Sequence, residues 1–154
     1  VETNRTNFKD EKWWINTDES YAFADNKVTR SWGTATARAH ADTLYTEQDK
    51  TDNLIPDDKD VGDVAVEGLK TILIREIKKQ AGDNLAKTDW YITRNTEKST
   101  AIPSSISTHR DAVRTKQAEM ETAITNAADT AALETLYRRG DNNERPLGDL
   151  PNLE

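Results

Sequence analysis

The chain has 154 residues, 34% hydrophobic and 32% charged, with a formal net charge of −7 and no cysteine. That length fits one domain or two very small ones. The missing cysteines exclude disulfide scaffolds, Cys-ligated zinc and thiol catalysis, and the acidic balance argues against general nucleic-acid binding, which needs a cationic face.

Residues 12–32 read as short strands. Trp13-Trp14-Ile15 and Tyr21-Ala22-Phe23 flank the turn-like Asn16–Ser20, which predicts a hairpin with aromatic cross-strand partners. A third strand around Val28–Trp32, ended by Gly33, completes a small meander. So few strands are marginal alone, so Trp13, Trp14 and Trp32 are expected to need a covering surface.

Residues 34–50 contain helix formers but little apolar face, which predicts a weak helix. Residues 51–63 read as a linker broken by Pro56 and Gly62. From Asp42 to Asp63, eight acidic residues against two lysines give a net −6.

The strongest periodicity begins near Val64. Val66, Leu69, Ile72, Leu73, Ile77 and Ala81 repeat at three and four, the stripe of an amphipathic helix, and Leu85 and Ala86 extend it. Thr88 or Asp89 is placed to cap a short helical turn with Trp90, Tyr91 and Arg94. Pro103 suits the first turn of another helix, with Ile106, Val113, Met120 and Ile124 on one face. Asp129 is a candidate N-cap for a last helix with Leu133, Leu136 and Tyr137, stopped by Gly140. The tail is not helical, and Leu147, Leu150 and Leu153 form an irregular docking strip.

Chemical motifs are few. The loop at Asp57–Gly62 fails the calcium template, because Lys59, Val61 and Gly68 occupy ligand positions, so it reads as a solvated acidic loop. Arg139-Gly140-Asp141 reads as a helix end rather than an adhesive tripeptide, and the sequon Asn4-Arg5-Thr6 as chance. His40 and His109 are isolated, and His109 beside Ser107 and Thr108 reads as surface. No carboxylate lies in an apolar run that would raise its pKa, and neither a phosphate loop nor a nucleophile elbow occurs. An enzyme, a metal or a cofactor is therefore not expected. No apolar run is long enough for a membrane span, and the first ten residues lack a signal pattern.

Trp90-Tyr91 is the most distinctive local feature. Its plain reading closes the helical core, with Arg94 pairing a carboxylate; the other is an aromatic anchor for a partner. The run from about Leu69 to Tyr137 resembles a helical segment of tailed-bacteriophage proteins, including tail-fibre assembly chaperone-like proteins. The shared pattern is a basic amphipathic helix, then Thr88, Asp89, Trp90, Tyr91 and Arg94, then Glu97, then Ile102-Pro103. It continues through Arg110 and Arg114 into the Ala/Glu stretch 118–128. The ending Arg145–Glu154 is similar to those of virion-associated proteins of marine cyanobacterial phages.

The resemblance implies a phage protein acting by protein–protein contact, without catalytic residues. The expected fold is α+β: a strand-rich module at 1–33, a weak helix and acidic linker at 34–63, a domain of about three helices at 64–139 and a docking tail at 140–154. The expected function is a non-enzymatic virion component that connects or decorates tail, baseplate, neck or fibre proteins, in multiple copies of a symmetric assembly, without nucleic acid or membrane. The alternative is a fibre-assembly chaperone absent from the mature particle. Expected partner-binding residues are Trp13, Trp14, Trp32, Trp90, Tyr91, Leu147, Leu150 and Leu153.

Overall fold

A computed structural model describes residues 3–153, with side chains from Thr6 onward, so the Asn4 and Arg5 side chains of the sequon lie outside the described residues. The fold is α+β, with small sheets before a set of helices. Strands β1 (Thr3–Thr6), β3 (Ser20–Ala24) and β4 (Lys27–Ser31) form one sheet in the order β1-β4-β3. Asp25 and Asn26 both take positive φ, the two-residue turn whose twist suits an antiparallel hairpin. This turn sets β3 against β4.

The expected hairpin between Trp13–Ile15 and Tyr21–Phe23 does not form. Strand β2 (Trp14–Ile15) instead pairs with β5 (Thr36–Ala37). The expected helix at 34–50 is replaced by β5, β6 (Thr43–Leu44) and the short α1 (Glu47–Thr51). Strand β6 pairs with β7 (Val64–Val66), which leads into α2 (Leu69–Ala86).

The physical reason lies at the start of α2, whose first amides have no partner within the helix. Leu69 N donates to Ala39 O at 2.9 Å and Lys70 N to His40 O at 3.0 Å. Gly68 N donates to Asp42 Oδ1 at 2.6 Å, and Thr71 Oγ1 to Asp42 Oδ2 at 2.8 Å. Residues 39–42 thus act as a remote cap, which holds them out of a helix. Gly68 admits this close approach, since a Cβ there would overlap the Ala41 carbonyl.

Four helices follow from α2 rather than about three: α3 (Asp89–Lys98) is a full helix, before α4 (Ser104–Asn126) and α5 (Thr130–Tyr137). Helices α2 and α4 run antiparallel, with Asn84 beside His109 at one end and Lys70 Nζ donating to Thr125 O at the other. Leu69, Leu73, Ile77 and Ala81 face Ile106, Val113, Met120 and Ile124, all of them buried. Asp129 caps α5 by accepting from Ala132 N at 2.8 Å. Helix α5 ends at Tyr137, with Arg138 at the C-cap, so Gly140 lies beyond the stop and belongs to a turn with Asn143 and Glu144.

The expected modules share one core. Trp13 is 3% exposed among Leu69, Leu73, Met120, Ile124, Leu133 and Leu147. Thr130 Oγ1 donates to Arg38 O at 2.6 Å, tying α5 to the residue after β5. The tail is non-helical, but it folds back rather than projecting: Leu147 is 2% exposed, and its amide donates to Leu136 O at 3.0 Å.

Candidate protein-interaction face on helix α3

Most of the aromatic and leucine residues expected to meet a partner are used inside the chain. Trp13 lies in the core. Trp14 is half-buried, and its Nε1 donates to Glu134 Oε2 at 2.9 Å. Trp32 is buried under Phe8, with ring centroids 4.8 Å apart, and under the Arg30 guanidinium, 4.7 Å from the ring. Leu147 is in the core and Leu150 packs against it. These five are corrected from partner-binding to packing residues, because the chain itself supplies the cover they need. Leu153 stays exposed.

Trp90 is the opposite case. It is 50% exposed, so the reading that placed it in the core is overturned. Two positions apart on a helical path, residues point to different sides. Here Thr88 takes the inside and is buried, leaving Trp90 outside. The Arg110 guanidinium fills the inner side: Nη1 lies 2.7 Å from Thr88 Oγ1, 2.9 Å from Leu85 O and 2.8 Å from Asp89 Oδ1. This contact locks the α2–α3 junction to α4, and so fixes which face of α3 looks out. Asp89 in the first turn also suits the helix dipole. The helix closes at Ser99, in left-handed conformation, whose amide donates to Asn95 O at 2.8 Å.

On the outer face the Trp90 and Tyr91 rings stand 3.8 Å apart, centroid to centroid. Arg94 lies over both, 4.6 Å from the Trp90 ring and 5.3 Å from the Tyr91 ring. Among the described residues it does not pair a carboxylate as expected, and its buried Nε has no hydrogen-bond partner. The result is an aromatic–cation stack with one half-exposed ring.

Beside it runs an open groove of ≈ 730 Å³, whose lining includes Tyr91, Pro103, Ile106, His109 and Leu153. His109 is buried rather than on the surface. Its Nε2 is 3.0 Å from Asn84 Oδ1, and Asn84 Nδ2 donates to Pro151 O at 2.7 Å. This relay holds the tail along the groove and brings Leu153 to its rim. Tyr91 and Leu153, far apart in sequence, therefore line one surface beside Trp90. Sequence reasoning missed the roles of His109 and Arg110; the only signal was their place on the Ile106–Val113 face of α4.

Among the described residues, no group of three or more His, Cys, Asp or Glu is placed to hold a metal ion. No described helix is long and apolar enough to cross a membrane. Comparison with protein-family models, with curated proteins and with solved structures finds no match.

Proposed function

We propose that the protein is a non-enzymatic structural component of a phage virion, joining tail, baseplate, neck or fibre proteins through α3 and the adjoining groove. The observation that carries this reading is the half-exposed Trp90 ring, stacked with Tyr91 and Arg94. It falls on the Thr88–Arg94 motif by which the chain resembles tailed-phage proteins. Aromatic and arginine side chains held rigidly at a surface give contact area at small entropic cost. A virion part of this kind gains stability when neighbours cover such a face.

A second reading, a tail-fibre assembly chaperone, draws on the N-terminal sheet. Tyr21 and Phe23 lie on one face of β3 and are 64% and 69% exposed. An exposed apolar face suits transient capture of an unassembled subunit. Mass spectrometry of purified particles tests the two. Fixed stoichiometry in the particle supports the structural role. Recovery only from infected-cell lysate, bound to fibre protein, supports the chaperone. Absence from both particles and fibre complexes overturns both.

A further inference from the structure

The α3 face that carries Trp90 is also cationic. Arg94 stands four positions after Trp90, and Glu97 and Lys98 follow it by three and four, so two cations and one carboxylate share this side of the helix. None of these three joins an ion pair among the described residues. The nearby Asp89 does not offset them, since Arg110 already pairs it.

The opposite charge sits at the other pole. The Asp42–Asp63 stretch carries the net −6, and within it Leu54-Ile55-Pro56 stands directly before Asp57, Asp58 and Asp60. Leu54 is 62% exposed, and the three aspartates are exposed and join no ion pair among the described residues. The loop rises from the β6–β7 ladder, closed by Tyr45 N to Asp63 O and Gly62 N to Tyr45 O, both 2.9 Å. That ladder abuts the first turn of α2, whereas α3 follows its last. The 18 residues of α2, a helix roughly 27 Å long, lie between the two in the chain. One chain thus presents an apolar-acidic loop and an aromatic-cationic face.

We infer that the α3 face of one copy receives the Leu54–Asp60 loop of a second copy. Leu54 and Ile55 pack on Trp90, and Asp57, Asp58 and Asp60 face Arg94 and Lys98. The inference rests on reading α3 as an interaction face, and it names the partner as the chain itself. Because the two halves differ, copies associate head to tail, or close as a pair in which both poles are used. Complementary charge steers the encounter, and burial around Trp90 holds it.

Sedimentation velocity of the full chain tests this. The expected result is reversible association at ~50 mM salt that weakens toward monomer at ~500 mM. Trp90→Ala should weaken association at least tenfold. Arg94→Glu with Lys98→Glu, and separately Asp57→Lys with Asp58→Lys, should each leave monomer. Asp57, Asp58 and Lys98 are exposed and Arg94 is half-buried, and circular dichroism checks that each variant folds. Mixing the two charge-reversed variants should restore association, because each supplies the half that the other has lost. A wild-type chain that stays monomeric at low salt overturns the inference. So does association untouched by these substitutions, or a mixture that remains monomeric. A monomeric chain found at fixed stoichiometry in particles removes this inference and leaves the virion reading intact; a self-associating chain absent from particles does the reverse.

Discussion

Arg110 holds Asp89 across the junction of three helices, with Nη1 2.8 Å from Oδ1, and the two partners differ sharply in burial. The arginine side chain is 10% exposed and the aspartate 61%. The buried groups at stake are the Leu85 carbonyl and the Thr88 hydroxyl, which the same guanidinium serves. Arg110→Ala should therefore cost about 1–3 kcal/mol, since both groups lose a charged donor and keep only the bonds from the Thr88 hydroxyl and amide to the Leu85 carbonyl. Asp89→Asn keeps an acceptor at an exposed site and should cost less than ~1 kcal/mol. Urea unfolding of the two variants checks this. Equal losses would shift the weight from the buried acceptors to the ion pair.

The tryptophans separate in the same way. Trp13→Ala empties a core site and should lower stability by about 3–5 kcal/mol. Trp90→Ala removes a half-exposed ring and should change it by ~1 kcal/mol or less. Paired denaturation curves are the measurement, and a Trp90 loss as large as that of Trp13 would return Trp90 to the core.

Leu147 makes the tail part of the fold. Leu147→Ala should cost about 2–4 kcal/mol, while Leu153→Ala should stay within ~0.5 kcal/mol. Removing residues 146–153 should lower the melting temperature markedly. An unchanged melt would mean that the segment docks elsewhere.

Asp42 links stability to pH. Hydrogen bonds from the Gly68 amide and then the Thr71 hydroxyl hold its carboxyl below the usual carboxylate range. A depressed folded-state pKa contributes stability that is present above the unfolded value of about 4 and is lost as pH falls through the folded value. The melting temperature should therefore drop on acidification below about pH 4. Asp42→Asn should lower stability at neutral pH and flatten that part of the profile. A profile unchanged by the substitution would remove Asp42 as the remote cap.

Local periodicity made the helices legible. Leu69, Leu73 and Ile77, and Val113, Met120 and Ile124, announce their faces within a few turns, and Asp129 announces a helix start. What stayed hidden depends on contacts distant in sequence. Residues 34–50 are locally helix-compatible, yet Ala39, His40 and Asp42 serve the start of α2, a demand that lies outside any local window. Strand β2 shows an aromatic patch but not that its partner is β5. At the candidate site the Trp90-Tyr91 pair stood out by composition. Its orientation was illegible because Arg110, on another helix, decides it. The place of Lys98 on the Arg94 side of the helix follows from its spacing of four.

Trp13 and Leu147 meet in one core although nearly the whole described chain lies between them, and Trp14 reaches Glu134 across 120 positions. A ribosome delivers the first of these partners long before the last. The nascent tryptophans must therefore wait, uncovered, until Leu147 emerges, so the core closes only after the whole stretch between them has left the ribosome. Such long-range closure is intrinsically slow and leaves apolar surface open to wrong neighbours in the interval.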